Sequence, residues 1–203
     1  MTLCDRKMIV AITGGIGAGK SVVSHMLRAM GMPVYDCDAA ARRLMDESCE
    51  IKRRIAGEIS ASAIAQDGSI CRQELSSVVF ANPEKLSRLN AIVHGAVRVD
   101  LKMWMSRMDL PLIFVETAIL YESGFDSMVD EIWEVTAPVE QRVHRVMVRS
   151  GLTEPQVRAR IASQLAPSYP HHRIIDNSDS TPLIPQIINI LNDYGFSTTV
   201  TSS

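Results

Sequence analysis

The sequence predicts an α/β fold, a doubly wound parallel sheet of five strands with helices on both faces. Short apolar runs of strand length alternate with longer segments whose apolar residues recur at helical spacing, a pattern typical of parallel sheets with right-handed crossovers. A glycine-rich stretch, residues 14–21, joins the first apolar run directly to the first helical segment. The 203 residues suffice for a single such domain, 1–203, with a smaller subdomain inserted in it.

Five short apolar runs are the predicted strands. The first and third are almost continuously apolar, which favours strands that are buried on both faces of a sheet. Acidic residues stand at the ends of three runs, at Asp36, Glu116 and Asp176. The five runs comprise residues 7–13, 32–35, 111–116, 129–137 and 173–176.

Apolar periodicity and capping residues predict the helices. Asn82 is the expected N-cap of one helix, with Pro83 at its first helical position. Thr153 and Gln156 have the spacing of a capping box. The predicted helices comprise residues 20–30, 39–45, 51–55, 72–80, 83–104, a segment that begins at 138, 154–165 and 182–194, and we expect residues 197–203 to fray.

Residues from about 47 to 109 differ from the rest of the chain, because they contain helical patterns and no strand. They lie between the second and third predicted strands. We therefore predict an inserted helical subdomain that binds substrate. A second region, about 150–172, is predicted to act as a lid.

The composition excludes several classes of partner. With 46% hydrophobic residues, 22% charged residues and a formal net charge of −2, the sequence has no global electrostatic feature that favours nucleic acid or a membrane. The four cysteines have neither metal-ligand nor redox-motif spacing, so we expect free thiols and a cytoplasmic protein. We expect no membrane span and no signal peptide. The expected assembly is a monomer or a weak homo-oligomer.

Residues 14–21 fit the pattern G-x-x-x-x-G-K-[ST], which cradles phosphate groups. Glycines allow the backbone to turn so that its N–H groups face phosphate oxygens. Lys20 is expected to reach the β- and γ-phosphates of ATP, and the Ser21 hydroxyl to bind Mg²⁺. The predicted nucleotide-binding residues are Gly14, Gly15, Ile16, Gly17, Ala18, Gly19, Lys20, Ser21 and Val22.

Two aspartates follow the second predicted strand, at Asp36 and Asp38. Ligands of open α/β sheets bind at the carboxyl ends of the strands, so one of these carboxylates is a candidate general base. If the chain stays extended, the two side chains share one face. The alternative is that Asp38 only caps the helix that follows it.

Three arginines, Arg142, Arg145 and Arg149, recur at spacings of three and four residues and therefore lie near one face of their helix. Such a face is commonly a solvated basic surface. The alternative is that it neutralises the charge of a triphosphate.

The fold alone does not decide the function, because phosphate loops of this type occur in kinases, GTPases and ATP-driven machines. The sequence lacks an Asn-Lys-x-Asp or Thr-Lys-x-Asp motif, which disfavours a GTPase. A short chain with a helical insert favours a kinase that acts on a small molecule. The alternatives are another P-loop kinase for a nucleotide or metabolite, and a nucleotide-dependent switch or binding module.

Several separate segments, in order, resemble the dephospho-CoA kinase family, whose members have a P-loop kinase fold. The loop itself includes a leading threonine, Thr13, and a doubled glycine. The matching segments are residues 13–21, 36–38, 67–72, 116–122 and 137–138, together with Leu75, Val79, Phe80, Leu89, Asn90, His94, Gln141, Arg145, Arg149, Arg160, Ile161 and Gln164.

The resemblance implies transfer of the γ-phosphoryl group of ATP to the ribose 3′-hydroxyl of dephospho-CoA, with CoA and ADP as products. It implies that Asp38 is the general base and that Arg145 lies on the nucleotide side, so that Asp38, Lys20 and Arg145 are the catalytic residues. It also implies that Thr13, Asp38, Arg72 and His94 bind the substrate.

The sequence departs from the family pattern at three places. Gly95 and Ala118 stand where the family usually has proline. Residues 165–173 are shorter than the usual lid segment and contain two prolines and His171-His172. We therefore expect the phosphate contacts of the lid to differ from those of the family.

Overall fold

The computed structural model describes residues 7–164 and 172–196. In these residues one sheet is formed in the order β2-β3-β1-β4-β5. β1 pairs in parallel with both β3 and β4, and β4 pairs in parallel with β5. The strands are β1 (Met8–Thr13), β2 (Val34–Asp36), β3 (Leu112–Glu116), β4 (Glu131–Thr136) and β5 (His172–Asp176).

β1 is the central strand, and its sequence explains that position. Val10, Ala11 and Ile12 are completely buried, as expected for a strand that is covered on both faces. In the parallel register Val10 lies opposite Phe114 of β3, and Ile12 lies opposite Trp133 of β4. The predicted parallel α/β sheet is thereby confirmed.

Among the residues that the structure describes, four α-helices belong to the same part of the chain as the sheet. Two of them, α1 and α8, contribute apolar side chains to the main core, including Leu27 and Ile187. The capping box predicted at Thr153 is present and opens a third helix. The four are α1 (Lys20–Ala29), α6 (Val139–Ser150), α7 (Glu154–Ala162) and α8 (Leu183–Asp193).

The chain divides into two compact units. The first contains the described residues up to Val34 and from Leu110 onward, and the second is Tyr35–Asp109. The second unit therefore begins earlier than the insert that was predicted from about residue 47. The difference arises because the helix that follows β2 packs against the long helix of the second unit.

The second unit contains four α-helices among its residues: α2 (Cys37–Glu47), α3 (Cys49–Glu58), α4 (Arg72–Phe80) and α5 (Pro83–Ser106). Asn82 caps α5 by accepting a hydrogen bond from the Lys85 N–H, as predicted. The core of this unit consists of Ile51, Ile55, Ile59, Ala63, Leu75, Val79 and Ile92.

Two predicted features lie outside the described residues: most of the shortened lid segment and the tail 197–203. Of the predicted lid region, α7 and the residues up to Gln164 are described. No helix in the described part of the chain is both long enough and apolar enough to cross a membrane.

Neighbouring isoleucines on β5 provide a matched test of the core. Ile175 is completely buried, whereas Ile174 on the opposite face is 61% exposed. We expect Ile175→Ala to lower the free energy of unfolding by about 2–5 kcal/mol, and Ile174→Ala by less than about 1 kcal/mol. Urea denaturation measures both values, and equal losses would contradict the described faces of the strand.

Candidate active site

The glycine-rich loop connects β1 to α1 in the first unit. Thr13, the last residue of β1, is buried, and Lys20 begins α1. Gly19 occupies the N-cap position with φ +102°, and no side chain caps the helix. The positive end of the α1 dipole therefore faces the loop, where it favours an anion.

An added Cβ atom at any of the four loop glycines would force a neighbour to move, and Gly17 and Gly19 illustrate this. Gly17 and Gly19 have φ of +77° and +102°, a region that L side chains rarely adopt. A Cβ atom on Gly19 would lie 1.9 Å from Nδ2 of Asn177, and one on Gly17 would lie 2.6 Å from the Arg142 carbonyl oxygen. The glycines therefore allow a close approach of backbone to neighbouring residues, in addition to the turn that the sequence motif predicts.

The amides of residues 16–22 do not all face one cradle, which corrects the expectation for this stretch. Three of them donate to acceptors within the protein: Ile16 to Gln164 Oε1 (2.8 Å), Ala18 to Gly15 O (3.1 Å) and Val22 to Gly19 O (2.9 Å). The backbone N–H groups of Gly17, Gly19 and Ser21 have no hydrogen-bond acceptor within residues 7–164 and 172–196. These three amides are the candidates for phosphate binding.

Lys20 places its charge over the loop. Its Nζ donates to the carbonyl oxygens of Gly14 (2.7 Å) and Gly15 (3.4 Å). Ser21 follows in the first turn of α1 and is exposed. A cation and an accessible hydroxyl thus stand at the same end of the helix as the candidate amides.

Arg145 on α6 is tied to the segment that follows β5. Its Nη2 donates to the Asn177 carbonyl (2.9 Å), to Asp179 Oδ1 (2.6 Å) and to Gln141 Oε1 (3.4 Å). The other terminal nitrogen, Nη1, is buried and has no partner among the described residues. One side of this guanidinium is fixed, and the other retains its capacity to donate hydrogen bonds.

Three residues contact the loop from outside it: Arg142, which belongs to the predicted arginine face, and Gln164 and Asn177, which had no predicted role in the site. Asn177 Nδ2 donates to the Ala18 carbonyl (2.7 Å), and Arg142 Nε donates to the Ile16 carbonyl (2.9 Å). The interpretation of the α6 arginines as a solvated basic surface is therefore wrong for Arg142 and Arg145. The sequence signal for Arg142 was its spacing from Arg145, whereas Asn177 had only its position directly after a strand.

The structure corrects the expectation of an extended chain through Asp36 and Asp38. β2 ends at Asp36, and the chain turns at once into α2. The helix cap is Asp36, whose Oδ1 accepts from the Ala39 N–H (2.9 Å), and not Asp38. Asp38 lies exposed in the first turn, where the helix dipole stabilises a carboxylate.

α2 is held against α5 by a charged network in the second unit. Asp100 Oδ2 accepts from both the Tyr35 hydroxyl (2.6 Å) and Arg43 Nη2 (2.7 Å). Burial alone would raise the pKa of Asp100, but these hydrogen bonds outweigh it, and the pKa lies below its usual value. Burial and the bond to Asp100 raise the pKa of Tyr35. The network fixes the helix that carries Asp38.

The other predicted substrate residues of this unit lie on different helices. Arg72, in the first turn of α4, forms an ion pair with Asp46 (2.7 Å), and both side chains are 56% exposed. Asp46 is eight residues from Asp38 on α2, or about 12 Å along the helix axis. His94 is half-buried on α5.

A sequence profile of the family described as Dephospho-CoA kinase matches residues 8–181. The chain belongs to the dephospho-CoA kinase family. Two curated dephospho-CoA kinases show the extent of the similarity. The one from Porphyromonas gingivalis is 36% identical over 90% of this chain and 92% of its own length, and the one from Thermus thermophilus is 40% identical over 78% and 75%.

Solved structures agree with the fold. A crystal structure of a Thermus thermophilus protein, 34% identical, superimposes with a TM-score of 0.81 over 95% of this chain and all of that one. The dephospho-CoA kinase from Campylobacter jejuni, 23% identical, gives a TM-score of 0.65 over 92% and 96% and supports the fold alone.

Membership of the dephospho-CoA kinase family confirms three predictions: the family itself, the P-loop kinase fold and an ATP-dependent kinase. The activity of the family, phosphorylation of dephospho-CoA, is therefore the activity of this chain. The roles of individual residues remain predictions.

Alanine variants of two glycines with positive φ, Gly19 and Gly151, distinguish the effect of crowding from that of backbone strain. Gly151 after α6 has φ +65° and no atom within 4 Å of an added Cβ, unlike Gly19. We expect Gly19→Ala to raise the KM for ATP by at least about tenfold, because the loop must move away from Asn177. Gly151→Ala should keep the wild-type KM, although it loses some stability. Steady-state kinetics measure the KM for ATP of both variants. An equal increase in the two would contradict the close packing of Gly19 against Asn177.

Proposed function

We propose that residues 14–21 hold the triphosphate of ATP and that Asp38 accepts the proton of the ribose 3′-hydroxyl of dephospho-CoA. The loop is the observation that carries this proposal. It combines three unbonded amides, at Gly17, Gly19 and Ser21, with the Lys20 ammonium and the amino end of α1. These groups supply the partial and full positive charge that a transferring phosphoryl group requires.

The acceptor in this reaction is a secondary alcohol, which is a weak nucleophile. A positioned base is therefore needed to take its proton. Asp38 suits this role, because its carboxylate is exposed, lies in the first turn of α2 and does not cap the helix. Asp36 is occupied by the Ala39 N–H. The match of Asp38 to the second acid of the family motif supports the same assignment.

The residues at the start of α1 also fit a magnesium ion. Mg²⁺ prefers oxygen ligands and commonly binds through one or two protein groups together with substrate phosphates and water. The Ser21 hydroxyl is exposed and has no hydrogen-bond partner among the described residues. When bound, the metal neutralises charge on the transferring phosphoryl group.

The remaining predicted residues take supporting roles in this proposal. Arg145 keeps a buried Nη1 group without a partner among the described residues, which fits a contact to the nucleotide. Arg72 and His94 are assigned to dephospho-CoA, and Arg72 must then exchange Asp46 for the substrate. Thr13 is buried at the end of β1 and supports the loop rather than presenting a side chain to solvent.

We further propose magnesium as the metal, the cytoplasm as the compartment and a monomer or weak homo-oligomer as the assembly. Membership of a family that makes a soluble metabolite supports the compartment. The three cysteines within the described residues, Cys37, Cys49 and Cys71, form no disulfide bond there, which fits reducing conditions. No nucleic acid and no membrane is part of the proposal.

The two aspartates give a matched test of the general base. We expect Asp38→Asn to lower kcat by about 10²–10⁴-fold, since an amide cannot accept the hydroxyl proton. Asp36→Asn should retain kcat within a few-fold, because asparagine caps helices about as well as aspartate. Formation of ADP and CoA is followed with and without dephospho-CoA. Unimpaired transfer by the Asp38 variant would refute its role as the base.

Two serines of α1 test the metal site. We expect Ser21→Ala to raise the Mg²⁺ concentration for half-maximal rate by about tenfold, because a ligand is lost. Ser24 is the control, since its buried hydroxyl has no partner among the described residues and its removal should leave the requirement unchanged. Magnesium titrations of the initial rate give both values. An unchanged requirement in Ser21→Ala would argue against this ligand.

A further inference from the structure

The backbone N–H and carbonyl groups of Ile16 are hydrogen-bonded to side chains from outside the phosphate loop. The Ile16 N–H donates to Gln164 Oε1 (2.8 Å), and its carbonyl accepts from Arg142 Nε (2.9 Å). Arg142 Nη2 also donates to Gln164 Oε1 (3.3 Å), which closes a three-membered network. Two side chains from separate elements thus hold one residue of the loop at both its donor and its acceptor.

Apolar packing reinforces this attachment. α6 and α7 share a small core of Val143, Val146 and Val157, and the side chain of Ile16 packs against that core. Gln164 lies two residues beyond the end of α7 at Ala162. The helix pair therefore fixes the loop through both the backbone and the side chain of Ile16.

The guanidinium of Arg142 lies directly against the loop backbone. A Cβ atom on Gly15 would stand 2.1 Å from Nη2 of Arg142, so only glycine admits this approach. The side chain is half-buried. Its positive charge is therefore held beside the first residues of the phosphate cradle.

That charge has no counter-ion in the described part of the chain. No carboxylate within residues 7–164 and 172–196 pairs with Arg142, whereas Arg145 pairs with Asp179 and Arg173 with Glu131. Desolvation alone lowers the pKa of Arg142, and no acid opposes the shift. An arginine nevertheless stays protonated at neutral pH. A partly buried charge without a partner is unfavourable unless an anion comes to it.

We propose that Arg142 and Gln164 are positioning residues that set the phosphate loop through Ile16, and that the charge of Arg142 is compensated by bound triphosphate. The inference rests on the proposed function, because it requires residues 14–21 to hold that triphosphate. It adds two residues, from α6 and from the end of α7, that contact the loop from outside its own sequence.

Three variants and one control separate the two parts of this proposal. Arg142→Gln removes the charge, Arg142→Lys keeps it but loses the forked geometry, and Gln164→Ala removes the acceptor of the Ile16 N–H. Arg28→Gln is the control, because Arg28 is exposed in the last turn of α1, about 12 Å along the helix axis from Lys20. The measurements are the Kd for MgATP by titration calorimetry at several salt concentrations, and the KM for dephospho-CoA.

We expect R142Q to weaken MgATP binding by about tenfold at low salt, and by less as salt screens the lost charge. R142K should retain the wild-type salt dependence. Q164A should weaken binding by about three- to tenfold with an unchanged salt dependence, because it alters geometry and no charge. R28Q should match the wild type, and the KM for dephospho-CoA should stay within about twofold in every variant.

MgATP affinities of R142Q and Q164A within twofold of the wild type would overturn the inference, and so would an equal loss in R28Q. If R142Q does not fold, R142K and Q164A provide the test. R142K keeps the charge and loses the forked geometry, whereas Q164A removes only the acceptor of the Ile16 N–H. Lys20→Ala distinguishes failure of the proposed nucleotide site from failure of the roles given to Arg142 and Gln164. If Lys20→Ala binds MgATP like the wild type, the proposed function fails. If it binds weakly while R142Q and Q164A bind normally, only the present inference fails.

Discussion

The close approach of the phosphate loop to its neighbours is the constraint on which the rest of the site depends. Backbone at Gly17 and Gly19 passes so near to Arg142 and Asn177 that a methyl group has no room. Contacts at this distance fix the loop between α6 and the segment after β5. The amides of Gly17, Gly19 and Ser21 have no acceptor among the described residues and stand close to the Lys20 ammonium in sequence. Glycine is thus required for packing as well as for conformation.

The sheet supplies the frame for this arrangement. β1 is its central strand, and the loop leaves from the end of β1 with β4 and β5 on one side. Asn177 follows β5 directly, and its amide contacts the Ala18 carbonyl. In the second unit the Tyr35–Asp100–Arg43 network holds α2 and α5 together. Each unit therefore stabilises the helix that presents its own predicted reactive groups.

Local sequence patterns predicted the helices and strands well. They could not predict contacts between residues that are distant in sequence. The apolar runs, the cap at Asn82 and the loop motif each involve neighbours in sequence, so the fold and the position of the glycine-rich loop between β1 and α1 could be predicted. Asp36 rather than Asp38 caps α2 because the strand ends abruptly, which residue types alone do not reveal. The contact of Gln164 with Ile16 spans 148 residues, and only tertiary structure brings these groups together.

Isotopic tracing of the transferred group tests the central claim most directly. The protein is incubated with Mg²⁺, dephospho-CoA and ATP labelled with ¹⁸O in the γ-phosphoryl group, and the products are analysed by mass spectrometry and ³¹P NMR. The predicted result is one labelled phosphoryl group on the ribose 3′-oxygen of CoA for each ADP formed. Label found only in inorganic phosphate, or on another hydroxyl of the substrate, would contradict the proposed reaction.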